Sequence, residues 1–220
     1  METPRYSPVR QAVKRAIDGL VPRRAFLTSG PAGDPSVALT FDDGPDPEHT
    51  PALLDRLGEL DVRATFFVIG AHAEDHPELL RRMRDEGHAI GHHSWFHGEP
   101  ARTSAATLLR ETRRLDRLLK TAVGAPSHLF RPPKGKLDPA KLAAIWGAGK
   151  AVVLWNVDPK DYACRGPEEV RRHFDARPLR GGDVVLMHDT YRHAADVLPD
   201  LVEEARRRGL RFVNCQYWAG

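Results

Sequence analysis

The chain has 220 residues, with 33 lysines and arginines against 30 aspartates and glutamates, and its formal charge is +3 at pH 7. A chain of this length buries a core without disulfides, and its two cysteines, Cys164 and Cys215, lack metal-binding or redox spacing. The sequence shows neither an apolar run near the ~20 residues of a membrane span nor a basic patch interleaved with aromatic residues. We therefore expect a globular domain that does not bind nucleic acid.

The first 35 residues differ in charge from the rest. Residues 1–24 carry six basic and two acidic side chains, a net charge of +4. Helical spacing relates the apolar residues Val9, Ala12, Val13, Ala16, Ile17 and Leu20. This pattern predicts a basic amphipathic helix and a loop over residues 1–35, ahead of the main domain over residues 36–220.

Such a helix has two interpretations. It either makes peripheral contact with an anionic membrane surface or packs on the domain, and the lack of Trp and Phe on its apolar side favours packing. The segment also lacks the apolar core of a signal peptide. We therefore expect a cytoplasmic protein, at the inner membrane surface if the helix binds lipid.

Predicted strands alternate with predicted helices from residue 37 onward. The strands are predicted at residues 37–41, 64–69, 88–91, 129–131, 151–157, 183–187 and 210–213. The helices are predicted at residues 47–60, 77–86, 104–122 and 138–147, from residue 167, and at residues 194–208. The alternation predicts an α/β fold, a distorted (β/α) barrel of about seven parallel strands with outer helices, with an open doubly wound sheet as the alternative.

Ionisable residues follow five of these strands. They are Asp42 and Asp43, then His92, His93 and His97, then Lys134, then Asp158, Lys160 and Asp161, and lastly His188 and Asp189. Active sites of parallel α/β folds lie at the carboxyl ends of the strands. We therefore expect these side chains to meet at one site. The chain has no glycine-rich phosphate loop, so a nucleotide is not implied.

Two local patterns suggest metal chemistry. Asp42 and Asp43 end a strand and precede Gly44, where a bend would let two adjacent acids act at one site, one on a metal and one as a base. His93 and His97 are four residues apart, so they would meet on one face of a helical turn. Two histidines and one carboxylate leave open positions on a catalytic zinc ion. Alternatively, the acids lie in a solvated turn and the histidines are structural.

Five segments, in this order, resemble the motifs of the polysaccharide deacetylases, the NodB-homology enzymes of carbohydrate esterase family 4. They are residues 40–45 (TFDDGP), 93–97 (HSWFH), 131–135 (RPPKG), 158–162 (DPKDY) and 186–188 (LMH). The resemblance covers roughly residues 37–213. It implies a distorted (β/α) barrel and a metal-dependent hydrolase that removes N-acetyl groups from an amino sugar, oligosaccharide or polysaccharide.

The resemblance also implies a role for each matching residue. Asp43, His93 and His97 match the ligands of one divalent metal ion, with zinc as the first candidate and cobalt or nickel as alternatives. Asp42 matches the general base, and His188 matches the general acid. Arg131 matches the cation that pairs with the base, and Asp158 matches the carboxylate that orients the acid.

Three further positions are assigned to substrate binding: Trp95, Lys134 and Tyr162. The backbone N–H of Lys134 matches a donor to the oxyanion. Lys134 stands where the family often has an aromatic residue, and Tyr162 stands where tryptophan is common. Both departures bear on substrate choice more than on chemistry.

Other functions remain open at this point. The same residues would serve an O-acetyl carbohydrate esterase or another amide hydrolase, and the fold would serve a non-catalytic carbohydrate-binding protein. A base together with an acid favours catalysis. Six histidines match no motif, and we assign them to the surface or to packing: His49, His72, His76, His128, His173 and His193.

Overall fold

The computed structural model describes residues 21–220, and within them eight parallel strands form one sheet. The strands are β1 (Phe26–Leu27), β2 (Ser36–Asp42), β3 (Thr65–Val68), β4 (Ala89–His92), β5 (Leu129–Phe130), β6 (Ala151–Val153), β7 (Val184–His188) and β8 (Arg211–Val213). Their spatial order is β1-β6-β5-β4-β3-β2-β7, and β8 pairs with the first residues of β2.

Helices pack around this sheet, most of them on its outside, while the last one contributes Trp218 and Ala219 to the cluster inside the barrel. In this part of the chain they are α1 (Thr50–Glu59), α2 (Gly70–Asp75), α3 (Pro77–Asp85), α4 (Ala105–Val123), α5 (Pro139–Gly147), α6 (Pro167–Ala176), α7 (Arg192–Arg207) and α8 (Gln216–Ala219). Local signals explain several boundaries. Ser104 caps the longest helix, α4, by accepting the N–H of Thr107, and Gly124 ends it in a left-handed conformation.

The sheet curls until its edges meet. The N–H of Gly30, just after β1, donates to the carbonyl of Gly182, just before β7, at 2.8 Å. Val157, predicted to lie in the same strand as Ala151, instead pairs with Val185 of β7, because the chain leaves the sheet after β6. The predicted distorted (β/α) barrel is confirmed, and the open doubly wound alternative does not apply.

The alternation of side chains along strand β2 determines the direction of its last residue, Asp42. Val37, Leu39 and Phe41 pack into the large apolar cluster beneath the helices. Ala38 belongs to a second cluster inside the barrel, which includes Phe67. Because side chains alternate along a strand, Asp42 shares the inner face with Ala38. The carboxylate of Asp42 therefore lies at the carboxyl end of the barrel, facing its interior.

Two predictions concern residues at the amino terminus. The basic amphipathic helix lies outside the described residues, and the domain division at residue 35 stays a prediction. Strand β1, which the sequence patterns did not indicate, pairs in parallel with β6 and so brings residues before position 36 into the barrel. Over residues 21–220, no helix combines the length and apolarity needed to cross a membrane.

Candidate active site

Asp42 forms a buried ion pair with Arg131 at the carboxyl end of the barrel. Arg131 Nη1 donates to Asp42 Oδ1 and to Thr40 Oγ1, each at 2.7 Å. The other guanidinium nitrogens donate to the carbonyls of Val153 and Leu154, each at 3.2 Å. Burial raises the pKa of Asp42, and the charge of Arg131 opposes that rise. The pair fixes the position of this carboxylate.

The chain bends sharply after Asp42. Asp43 itself adopts a positive φ of 77°, so the bend begins one residue before Gly44. A Cβ on Gly44 would lie 2.0 Å from Asp189 Oδ2, so the turn packs directly against that carboxyl group. Asp189 is buried, and Thr50 Oγ1 donates to its Oδ2 at 2.7 Å. Burial raises the pKa of Asp189 to about 7.

Asp43, His93 and His97 come together as one group with ligand atoms within 4.8 Å of one another. Asp43 Oδ1 lies 3.4 Å from His93 Nε2 and 3.6 Å from His97 Nε2. Among the described residues, this oxygen is buried without a hydrogen-bond partner. Two imidazole nitrogens and one carboxylate oxygen suit a divalent transition metal, so these residues fit the ion that the resemblance implies.

The protonation of His93 also suits metal binding. Its Nδ1–H donates to the carbonyl of Arg131 at 2.8 Å, which leaves Nε2 unprotonated and directed at Asp43. Burial lowers the pKa of His93 to about 3, despite the nearby charge of Asp43. The ring is therefore neutral near pH 7, as a metal-ligating imidazole must be.

The two histidines converge through a bent loop, and the predicted helical turn is wrong. Ser94 and His97 both adopt positive φ angles, of 66° and 50°. The N–H of His97 donates to Ser94 Oγ at 3.0 Å, and the His93 and His97 ring centroids lie 5.0 Å apart. The loop brings the rings together without a helix.

His188 ends β7 in register with Asp42, and Asp161 holds it. Asp161 Oδ1 lies 2.8 Å from His188 Nδ1, and Oδ2 accepts the backbone N–H of His188 at 2.7 Å. Burial opposes the charged imidazolium, but the hydrogen bond and charge of Asp161 outweigh it and raise the pKa of His188 to about 9. His188 Nε2 lies 3.9 Å from Asp43 Oδ2, so it faces the candidate metal-ligand group.

This geometry corrects the assignment of Asp158 as the residue that orients His188. Asp158 Oδ1 accepts the N–H of Lys160 at 2.9 Å in its own turn. A short 3-10 turn, Asp161–Ala163, directs the second acid of the same segment inward instead. Both acids lie in the segment that carries the resemblance, and only the turn distinguishes them.

The assignment of Trp95 to substrate binding is also wrong. Its side chain is 1% exposed, and the guanidinium of Arg114 lies 3.6 Å from its ring centroid. Trp95 also lies so close to Gly70 that a Cβ there would meet the indole at 2.4 Å. It therefore packs the loop that carries His97 and is closed to substrate. The next residue, Phe96, is 66% exposed.

The other two substrate-binding candidates lie at the surface of the site. Lys134 is exposed, adopts a positive φ of 55°, and pairs with Glu99. Tyr162 is 49% exposed, and its ring centroid lies 5.4 Å from that of His188. Both are accessible to a bound molecule.

Two histidines that match no motif support the site through backbone carbonyls. His72 Nδ1 lies 2.9 Å from the carbonyl oxygen of Asp43. His193 Nε2 lies 2.9 Å from the carbonyl oxygen of Asp161. A carbonyl only accepts, so each ring nitrogen donates. The sequence carries no local signal for these contacts, because they join residues 29 and 32 positions apart.

Several known proteins are similar to this chain in sequence and fold. A family model described as polysaccharide deacetylase matches residues 29–153. A peptidoglycan-N-acetylglucosamine deacetylase of Bacillus cereus is 35% identical over 193 residues, covering 84% of this chain and 88% of that protein. A chitooligosaccharide deacetylase of Bradyrhizobium sp. is 41% identical over 162 residues, 73% of each chain. The crystal structure of the Bc1960 peptidoglycan N-acetylglucosamine deacetylase matches with a TM-score of 0.85 at 28% identity, covering 97% of each chain.

Proposed function

Because the chain belongs to the polysaccharide deacetylase family of hydrolases, we propose that it removes N-acetyl groups from oligosaccharides or polysaccharides containing N-acetylglucosamine. One observation carries this proposal: a buried carboxylate and a buried histidine flank the same three candidate metal-ligand side chains. Asp42 Oδ2 lies 3.7 Å from His93 Nε2, and His188 Nε2 lies 3.9 Å from Asp43 Oδ2. Amide hydrolysis needs a base for the attacking water and an acid for the leaving amine.

Asp43, His93 and His97 would hold one divalent ion, with zinc as the first candidate. When bound there, such an ion polarises an acetyl carbonyl and lowers the pKa of a water molecule from ~15.7 towards ~7. Three protein ligands leave coordination positions open for water and substrate. The chain's own residues supply the remaining functions.

Asp42 acts as the general base. It accepts a proton from the water that attacks the acetyl carbon, and a new C–O bond forms. Arg131 and Thr40 hold the carboxylate in place through the guanidinium contacts. The positive charge of Arg131 opposes the rise in the pKa of Asp42 that burial causes, so it favours the ionised form that a general base requires. The backbone N–H of Lys134 donates to the developing oxyanion in this proposal.

His188 acts as the general acid. As the C–N bond breaks, the sugar nitrogen takes the proton of His188 Nε2, so that acetate and a free amine are formed. The raised pKa, about 9, keeps the ring protonated near pH 7 before this step. Asp161 remains bonded to Nδ1, so it orients Nε2 towards the reacting atoms.

Acetate release tests the proposal. The protein is stripped of metal, reloaded with zinc or cobalt, and given N-acetylglucosamine oligomers, peptidoglycan fragments and acetylated xylan. We expect metal-dependent acetate from the N-acetylated substrates, and none from Asp42→Asn, which keeps the shape of the side chain. Release from acetylated xylan alone would replace the amide proposal with an ester hydrolase. Stoichiometric metal without release from any substrate would contradict the proposal.

A further inference from the structure

Two exposed tyrosines flank the proposed acid, and one of them lies outside every motif. The Tyr162 ring lies 5.4 Å from His188 at an interplanar angle of 83°. The Tyr191 ring lies 6.3 Å from His188 at 81°. Tyr191 is 38% exposed, so much of its surface is open to solvent beside the site. The imidazole thus has an accessible aromatic ring in each of two neighbouring loops.

Tyr191 is held in place although it is exposed. Its ring stacks on His193 with centroids 5.3 Å apart and an interplanar angle of 18°. His193 Nε2 in turn donates to the carbonyl of Asp161, the residue that orients His188. An aromatic ring fixed in this way loses little conformational freedom on binding, and its free face offers a flat apolar surface.

The proposed reaction determines what these rings would meet. His188 gives its proton to the nitrogen that stays on the sugar, whereas Asp43 and the ligand histidines face the acetyl carbonyl. The sugar therefore lies on the His188 side of the site. Tyr162 is the nearer ring, so it meets the sugar that is deacetylated. Tyr191 approaches the acid from a separate loop, where it stacks on His193, so we assign it to an adjoining part of the substrate.

We propose that Tyr191, supported by His193, is a carbohydrate-binding platform for the sugar unit next to the one that loses its acetyl group. This inference rests on the proposed function and deepens it, because it makes a chain of two or more sugar units the preferred substrate over a monosaccharide. It also makes Tyr191 a determinant of specificity that acts through binding.

Kinetics with N-acetylglucosamine oligomers test this platform. Tyr191→Ala is compared with Tyr191→Phe, which keeps the ring, and with Tyr217→Ala as a matched control. Tyr217 is 55% exposed but lies in α8, near β8, which pairs with the amino end of β2. The measured quantity is the ratio of kcat/KM for the pentasaccharide to kcat/KM for the monosaccharide, with calorimetric binding of the pentasaccharide alongside.

We expect Tyr191→Ala to lower this ratio about tenfold, mainly by raising KM for the pentasaccharide, and to weaken pentasaccharide binding by a similar factor. In Tyr191→Phe and Tyr217→Ala, the kcat/KM ratio and the pentasaccharide affinity should both stay within about twofold of the wild-type values. An unchanged ratio and unchanged binding in Tyr191→Ala would overturn the platform. An equal loss on both substrates, with a shifted pH profile, would also overturn it, because Tyr191 would then act only through His193 and His188.

This experiment distinguishes a failure of the proposed deacetylase function from a failure of the Tyr191 platform. A wild-type protein that releases no acetate would contradict the proposed function, and the binding measurement would still decide whether Tyr191 contacts the sugar chain. Active wild-type protein with no Tyr191 effect would leave the deacetylase function in place and remove the platform.

Discussion

Asp161 holds His188 at two points, because one carboxylate oxygen meets the ring and the other meets the backbone. Oδ1 lies 2.8 Å from Nδ1, and Oδ2 accepts the N–H of His188 at 2.7 Å. The fully buried carboxylate thus fixes the ring orientation and raises the pKa of the imidazole to about 9. Asp158, three residues earlier, bonds to its own turn.

The first prediction compares Asp161→Asn with Asp158→Asn. In the proposed mechanism the imidazolium is the active form of His188, so this residue sets the alkaline limb, and activity is lost as pH rises through its pKa. Removing the Asp161 charge lowers that pKa, and the alkaline limb of kcat/KM moves to lower pH. We expect kcat to fall about 100-fold in Asp161→Asn, since general acids contribute roughly 10²–10⁴-fold.

Asp158→Asn should keep its alkaline limb in place, because Asp158 makes no direct contact with the ring in the described hydrogen bonds. Rate profiles of the zinc-loaded enzymes between pH 6 and 10 check both variants. A shifted limb in Asp158→Asn, with Asp161→Asn unaffected, would restore the assignment made from sequence.

The second prediction concerns the metal ligands. His93→Ala should weaken zinc binding by at least about 100-fold, because it removes a ligand and breaks the contact with the Arg131 carbonyl. Competition with a chromophoric chelator measures the affinity without any need for turnover. Asp42→Asn should retain zinc yet lose acetate release, and the exposed His173→Ala serves as a histidine control. Unchanged zinc affinity in His93→Ala would refute the ligand assignment.

The third prediction uses the contact between Gly44 and Asp189. An alanine Cβ at position 44 would lie 2.0 Å from the Asp189 carboxylate, so the turn or the carboxyl group has to move. We expect Gly44→Ala to lower the free energy of unfolding by about 2 kcal/mol and to weaken zinc binding through Asp43. Urea unfolding and the chelator assay measure the two effects.

Gly58→Ala is the matched control for this change. A Cβ there meets nothing within 4 Å, and Gly58 lies in helix α1. Alanine should therefore stabilise the protein by up to about 1 kcal/mol and leave zinc binding unchanged. If Gly44→Ala were as well tolerated as Gly58→Ala, the close packing of the turn on Asp189 would be refuted.

The fourth prediction concerns the pH dependence of stability in the metal-free protein. The folded-state pKa of Asp189, about 7, lies above the value of 3.8 expected for an unperturbed aspartate. Between these values the unfolded chain releases a proton that the folded protein keeps, so stability falls as pH rises, and the fall ends above pH 7. Asp189→Asn removes the contribution of this carboxyl group to the pH dependence of stability.

The free energy of unfolding of Asp189→Asn, taken relative to that of the wild type, should therefore rise by about 3 kcal/mol between pH 5 and pH 8. Urea unfolding at both pH values measures the difference. A constant difference would show that Asp189 is ionised throughout, and Asp175→Asn on the exposed surface of α6 provides the control.

Although the sequence by itself did not indicate strand β1 and left an open sheet as an alternative to the barrel, from residue 36 onward it determined most of the order of strands and helices and which loops meet. Each depends on local patterns: apolar alternation defines the strands, and the carboxyl ends of parallel strands converge at one end of a barrel. Asp42, Arg131 and His188 could therefore be assigned to one site before any distance was known. Polar residues directly after strands were sufficient to locate the site.

Only the tertiary structure decided which side chains reach into that site. Asp161 was distinguished from Asp158 by a 3-10 turn, and Trp95 was buried by the packing of Arg114 and Gly70 around it. His193 contacts Asp161, which lies 32 positions earlier in the chain. Such contacts depend on backbone dihedral angles in irregular loops and on packing between distant segments, and neither leaves a periodic pattern in the sequence.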